Sequence, residues 1–307
     1  MLLRVMMHPT RSARVSFRLF IVLFILAGTA MPMASHGADQ HCLWKVQGPK
    51  TTVHLLGSIH LLKKEDYPLP AVMEQAFTNA RVVGFETDIE ALDDPKAQFG
   101  LLSKAQLPEG ETLASQLSKE TYAKLTAHLK ETGVPGGIAV FEHFRPWFVA
   151  MGLLALELPA LGLDPQYGVD KHFYGPAREA GKTILPLETV DFQLGLFANL
   201  SKEEQQSLME STLKDIKNMR TMLEELVGSW RKGDAVKLDK LINQALVDEP
   251  VLFRRLVTDR NVQWVDQIEK LLKGDKPALI IVGAAPLVGK DSVVEMLQKK
   301  GFKVVQE

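Results

Sequence analysis

Two apolar, β-prone segments of this chain end in the same small-residue turn, and this repeated feature constrains the fold more than any other. The segments are Leu55-Leu56-Gly57-Ser58-Ile59-His60 and Ile281-Val282-Gly283-Ala284-Ala285-Pro286. A glycine lets the backbone bend sharply where a buried strand ends. Because the first copy ends on an imidazole, we expect His60 to face a cleft. An ordinary polar histidine after a turn is the simpler alternative.

The first two of six β-prone runs are predicted to form a hairpin around Gly48-Pro49-Lys50, and helical stretches separate the others. This pattern predicts a mixed α/β fold. We expect one domain over residues 43–307, with a central mixed sheet flanked by many helices. The helical segment Ser201–Arg231 is predicted to be the longest, and Ser201 with Glu204 forms a capping box at its start. The predicted strands are Leu43–Val46, Thr51–Leu56, Arg81–Glu86, Thr183–Leu187, Pro277–Gly283 and Phe302–Val305.

Acidic side chains stand at the exits of two of these strands. Glu86 ends the run 81–86, and Glu188 directly follows the run 183–187. In proteins with an open α/β sheet, the functional site lies at the carboxyl ends of the strands, so both carboxylates are candidates for a site shared with His60. The competing explanations are a solvated acidic loop for Glu86 and a helix cap for Glu188.

The N-terminus has the pattern of a secretory signal peptide over residues 1–38. Four arginines precede an apolar run from Leu19 to Met31, and small residues follow up to Ala38. That run is shorter than the roughly 20 residues that span a bilayer, which favours cleavage after Gly37 or Ala38 over an uncleaved anchor. No second stretch is long enough to cross a membrane. We therefore expect a periplasmic or secreted protein.

Charge and cysteine content exclude several classes of function. The chain has 36 basic and 37 acidic side chains, without the basic stripe expected of a nucleic-acid-binding protein. Cys42 is the only cysteine, which excludes an intramolecular disulfide and a zinc site made of several thiolates. Gly283, Gly289 and Lys290 differ in spacing from a phosphate-binding loop, so we expect no nucleotide.

An ordered set of short motifs resembles the TraB/GumN (TraB/PrgY/GumN) family, which also includes the Tiki proteases. The likeness extends from Leu43 to Val305. It implies a mixed α/β domain with two Gly-x-x-His motifs at strand ends around one cleft, and metal-dependent hydrolysis in active members. The motifs are Gly57-Ser58-Ile59-His60, Phe85-Glu86-Thr87-Asp88, Arg145-Pro146-Trp147, Tyr167-Gly168-Val169-Asp170, Leu187-Glu188-Thr189-Val190, Arg260-Asn261 with Trp264, and Ile281-Val282-Gly283-Ala284 followed by Leu287-Val288-Gly289.

The chain departs from this family pattern at Pro286, where the second histidine is expected. Proline has no side-chain lone pair for a metal. The remaining candidate ligands, His60 and Glu86, are too few for a closed zinc site but would suit manganese, magnesium or calcium with waters completing the shell.

The resemblance leads to two hypotheses of different classes. In a metal-dependent hydrolase of amide or ester bonds, His60 and Glu86 would bind the metal and Glu188 would accept a proton. Arg260 would stabilise the oxyanion, or else form an ion pair with a carboxylate on a helix face. In a catalytically degenerate member, the same cleft would bind a peptide, glycan or envelope partner without turning it over. Metal content, with His60→Ala as the control, distinguishes the two.

Overall fold

A six-stranded mixed sheet forms the centre of the molecule, which confirms the predicted α/β class. In this computed structural model the described residues are 40–92, 94–243 and 253–307. The predicted signal peptide, residues 1–38, lies outside them. The strand order is β4-β3-β5-β2-β1-β6. The strands are β1 Leu43–Gln47, β2 Thr52–Ser58, β3 Val82–Phe85, β4 Thr183–Pro186, β5 Ala278–Gly283 and β6 Lys303–Gln306.

Four neighbouring strands of the sheet are parallel, and two antiparallel strands complete one side. β4, β3, β5 and β2 run in the same direction, with Gly57 opposite Val282 and Ser58 opposite Gly283. β1 pairs antiparallel with β2 through the predicted hairpin, and β6 pairs antiparallel with β1. β3 and β5 are buried along their whole length, as expected for strands covered on both faces.

Helices cover the sheet, and most of them lie between β3 and β5 along the chain. Their buried faces join the sheet in one hydrophobic core that includes Trp147, Trp230 and Trp264. Within the described ranges, none of the helices is both long and apolar enough to cross a bilayer. The helices are α1 Ala71–Asn79, α2 Ile89–Leu92, α3 Pro95–Ala105, α4 Leu113–Gln116, α5 Lys119–Glu131, α6 Pro146–Glu157, α7 Val169–Glu179, α8 Val190–Ala198, α9 Lys202–Asp215, α10 Met219–Arg231, α11 Ala235–Ile242, α12 Asp259–Lys273 and α13 Val293–Lys299.

The segment predicted as one long helix from Ser201 to Arg231 is divided in two. The 3-10 turn Ile216–Asn218 separates α9 from α10. Asn218 has φ −111° and ψ 7°, outside the α-helical region, and an asparagine side chain competes with helical backbone hydrogen bonds. The predicted capping box is confirmed: Glu204 N–H donates to Ser201 Oγ, and Ser201 N–H donates to Glu204 Oε2.

Candidate functional site

The carboxyl ends of the parallel strands bring three of the predicted site residues to one edge of the sheet. Glu86 directly follows β3, and His60 lies two residues beyond β2. Glu188 lies two residues beyond β4, and its N–H donates to the Glu86 carbonyl at 2.8 Å. The edge at which parallel strands end is where α/β proteins place their ligands.

The two glycine turns that the sequence repeats lie side by side at this edge. Ala284 N–H donates to the Ser58 carbonyl at 3.1 Å, which joins the turn after β5 to the turn after β2. A Cβ on Gly57 would lie 3.2 Å from the Cα of Ala284, so glycine permits this close approach. Pro286 lies in the buried 3-10 turn Ala285–Leu287, at the position equivalent to His60 in the first copy.

His60 is held by a carboxylate that lies 110 residues further along the chain. His60 Nδ1 lies 2.8 Å from Asp170 Oδ1. A carboxylate accepts hydrogen bonds, so Nδ1 is the donor in this contact and Nε2 is the ring nitrogen that remains for a ligand. The His60 side chain remains about one quarter exposed, at 24%. Histidines that bind a metal or exchange protons are commonly oriented in this way.

Gly168 makes the contact between His60 and Asp170 geometrically possible. The start of α7 packs on the segment after β2, where Val169 N–H donates to the Ile59 carbonyl at 2.9 Å. A Cβ on Gly168 would lie 2.3 Å from the carbonyl oxygen of His60, closer than any side chain tolerates. The absence of a side chain at this position therefore lets Asp170 reach the imidazole.

Arg260, on α12, lies between the two glutamates of the strand ends. Its Nη2 donates to Glu86 Oε2 at 2.7 Å and to Glu188 Oε2 at 2.9 Å, and its Nε donates to Glu188 Oε1 at 2.8 Å. The guanidinium also lies 4.7 Å from the centre of the Trp264 ring. The side chain of Arg260 is 1% exposed, so its charge is compensated almost entirely within the protein.

Glu188 is saturated with hydrogen bonds. Besides the two bonds from Arg260, its Oε1 accepts from Trp264 Nε1 at 3.0 Å and its Oε2 accepts from Gln193 Nε2 at 3.1 Å. A carboxylate offers about four lone-pair sites, so four donors leave no free site for a proton from water. Its role as a proton acceptor stays a prediction, and the geometry gives it another function: it anchors Arg260.

The charges of this cluster shift the pKa values of its members. Burial alone would lower the pKa of His60, but the charge of Asp170 and the hydrogen bond to it raise that pKa to about 9. Burial would raise the pKa of Glu86, but Arg260, His60 and the N–H of Gly283 hold it below the usual value. Burial would likewise raise the carboxyl pKa of Asp170, but the charge of His60 and the hydrogen bonds to the carboxylate together lower it.

A largely apolar cavity of about 270 Å³ opens beside His60 and Glu86. Asp170, Lys171 and Gln193 also line it, whereas Arg260 and Glu188 are not among its lining residues. The predicted role of Arg260 as an oxyanion stabiliser stays a prediction. Of the pair that it forms with Glu86, only Glu86 lines the cavity. The apolar wall is formed mainly by Phe85, Ile89, Trp147, Met151, Leu194 and Phe197.

The residues around the cavity do not fit a resident divalent metal. With a pKa of about 9, His60 carries a proton on Nε2 near neutral pH and has no lone pair there for a metal. Both oxygens of Glu86 are also engaged: Oε1 accepts from Gly283 N–H at 2.8 Å, and Oε2 accepts from Arg260 and from Gln193. The guanidinium 2.7 Å from Glu86 repels a cation, and Pro286 provides no donor. Over residues 40–92, 94–243 and 253–307, no three His, Cys, Asp or Glu side chains are grouped to hold an ion.

Sequence reasoning assigned no role to two residues of this site. Asp170 is the last residue of the motif Tyr167-Gly168-Val169-Asp170, and the signal that could have identified it is a glycine followed by an acidic residue at the start of a helix. Gln193, which joins Glu86 to Glu188, carried no signal in the sequence. The structure brings His60 and Glu86 to one cavity and places Glu188 and Arg260 in the buried cluster beside it.

The fold and the cavity define a class of protein: a mixed α/β domain with a histidine-centred cleft where its parallel strands end. The chain belongs to the TraB/PrgY/gumN family, whose model matches residues 42–306. It is 26% identical over 249 residues to the uncharacterized protein YbaP of Escherichia coli, with 80% of this chain and 87% of YbaP covered.

Animal metalloproteases are also similar to the chain. The metalloprotease TIKI2 of Danio rerio is 23% identical over 314 residues, and the metalloprotease TIKI1 of Homo sapiens is 23% identical over 316 residues. Each alignment covers 85% of this chain but only 60% of the first relative and 61% of the second. No solved structure matches the chain. The chain is therefore similar both to an uncharacterized bacterial protein and to animal proteins that are named metalloproteases.

Proposed function

We propose that this chain is a ligand-binding member of its family that holds no catalytic metal. The observation that carries the proposal is the engagement of Glu86: its carboxylate already accepts hydrogen bonds from Gly283, Arg260 and Gln193 beside an apolar cavity. A carboxylate that three hydrogen bonds hold in place helps to maintain the shape of the cavity. A cavity with apolar walls and a few polar groups suits ligand binding. The ligand is a peptide or another envelope component with an apolar group.

Metal-dependent hydrolysis of amide or ester bonds is the competing candidate function. One observation favours it: Asp170 accepts a hydrogen bond from His60 Nδ1, as carboxylates do when they orient histidines that bind metals. The names of the TIKI relatives as metalloproteases point the same way. The two candidates differ in whether the wild-type chain, with Pro286 in the second motif, binds a metal.

Replacing Pro286 with histidine tests the proposal by restoring the missing donor. We expect the wild-type chain to show no saturable binding of Mn²⁺ or Zn²⁺ in calorimetric titrations. Pro286→His should bind one ion, with an affinity at least about tenfold above the upper limit that the titration sets for the wild-type chain. The reason is that a second imidazole would join that of His60 on the neighbouring turn.

Two further variants serve as controls for this titration. Pro286→Ala removes the ring without adding a donor and should behave as wild type, and its thermal unfolding midpoint reports any damage to the turn. Combining Pro286→His with His60→Ala should abolish the gained binding. Stoichiometric binding to the wild-type chain, lost in His60→Ala, would contradict the proposal and support the hydrolase.

Export is part of the proposal, because an envelope ligand requires it. It is supported by the arginines and the short apolar run of residues 1–38. In a Gram-negative host, the full chain should accumulate in the periplasmic fraction with a mature N-terminus at Ala38 or Asp39. Intact-mass measurement of the purified protein checks this, and a full-length mass in the membrane fraction would indicate an uncleaved anchor instead.

A further inference from the structure

A tryptophan that lines the cavity carries a buried hydrogen-bond donor without an acceptor in the described part of the chain. Trp147 lies on the first turn of α6, is 0% exposed and lines the cavity. Its Nε1 has no hydrogen-bond partner among the described residues. Burying an N–H without a partner has a cost in free energy, and buried tryptophans in proteins usually avoid it.

The other two fully buried tryptophans make the contrast clear. Trp230 Nε1 donates to the Gly57 carbonyl at 2.6 Å, and Trp264 Nε1 donates to Glu188 Oε1 at 3.0 Å. Both lie within the protein core and away from the cavity lining. Among these three buried tryptophans, the one whose N–H has no partner in the described residues is also the one that lines the cavity, which points to an acceptor that a ligand supplies.

The size and chemistry of the cavity limit what this ligand can be. A volume of about 270 Å³ lies just under the range for drug-sized ligands, so it suits one aromatic ring or a short branched chain. The Trp147 ring is itself held in place, stacked on Phe197 with 6.3 Å between the ring centres and edge-on to Phe148 at 5.7 Å. The indole is therefore a rigid part of the wall.

We infer that the cavity binds a single large apolar group that carries a carbonyl oxygen, and that Trp147 donates its indole N–H to that oxygen. The inference rests on the proposed function and adds the chemical class of its ligand, such as an aromatic or branched acyl group or a peptide residue with its carbonyl. Trp147 acts as a specificity-determining residue that distinguishes carbonyl compounds from hydrocarbons of the same shape.

Acetophenone and α-methylstyrene form a matched pair of probes, since they differ only by C=O in place of C=CH₂. We expect the wild-type chain to bind acetophenone about tenfold more tightly than α-methylstyrene in NMR titrations. The chain has four tryptophans, so its ¹⁵N spectrum contains four indole signals. Acetophenone should shift the signal that disappears in Trp147→Phe.

Trp147→Phe keeps an aromatic ring but removes the donor, so the preference should reverse in favour of α-methylstyrene, because burying a carbonyl oxygen without a hydrogen-bond donor has a cost in free energy. Trp44→Phe removes an indole outside the cavity and should retain the wild-type preference. A preference unchanged in Trp147→Phe, or binding of neither probe by the wild-type chain, overturns the inference. Metal analysis of the same sample reports separately whether the proposed function fails.

Discussion

Replacing Arg260 with methionine should lower the free energy of unfolding by about 3–5 kcal/mol, the typical cost of removing one partner from a buried ion pair. The variant leaves Glu86 and Glu188 buried without their shared cation, and their side chains are only 9% and 1% exposed. Methionine fills much of the same volume, so the loss reports mainly unpaired charge. Urea denaturation of wild type and variant measures it.

Two comparisons distinguish this effect from general damage. Arg255→Met removes a partly exposed pair with Glu204 at 3.5 Å and should change stability by about 1 kcal/mol or less. The triple variant Arg260→Met, Glu86→Gln, Glu188→Gln removes the whole set of charges and should recover much of the loss. Stability of Arg260→Met within error of wild type would show that the cluster is not the buried network described here.

Replacing Gly168 with alanine should destabilise the protein by about 1–3 kcal/mol, as expected for overpacking. The new Cβ would lie 2.3 Å from the backbone oxygen of His60, and backbone cannot move aside as a flexible side chain does. The start of α7 must then shift, which takes Asp170 away from His60. The pKa of His60 should fall from about 9 toward its ordinary value of 6.5, as measured by NMR titration of the ring.

Gly228→Ala is the matched control for this substitution. Gly228 lies within α10, and a Cβ there meets nothing within 4 Å. Alanine has a higher helix propensity than glycine, so the free energy of unfolding of this variant should be about 0.5–1 kcal/mol higher than that of wild type. A Gly168→Ala protein as stable as Gly228→Ala, with an unchanged His60 pKa, would contradict the positioning role of Gly168.

The sheet could be predicted from the sequence, and so could the approach of His60 and Glu86 to each other, because both follow from local patterns. Apolar runs bounded by glycine identify the strands, and parallel strands end at a common edge, so His60 and Glu86 were expected near each other. The interruption at Ile216–Asn218 was missed, since the spacing of apolar residues continues through it. One asparagine in a helical pattern is a weak signal against such periodicity.

The partners of the site residues could not be predicted, because they depend on contacts distant in sequence. Asp170 approaches His60 only because Gly168 permits close packing, which no periodicity records. Arg260 is predicted to stabilise a substrate oxyanion or to pair with a carboxylate on a helix face. The carboxylates with which it pairs are two glutamates at strand ends, 174 and 72 residues earlier in the chain. The hydrogen bonds that engage Glu86 likewise come from three separate elements.

The central claim is that this cleft holds a ligand beside His60 without a resident metal ion. The most direct test is the metal content of the wild-type chain, expressed in medium supplemented with manganese and zinc, purified without chelators and analysed by mass spectrometry beside His60→Ala. The account predicts far less than one metal ion per chain in both proteins. One manganese or zinc ion per wild-type chain, absent from His60→Ala, would contradict it.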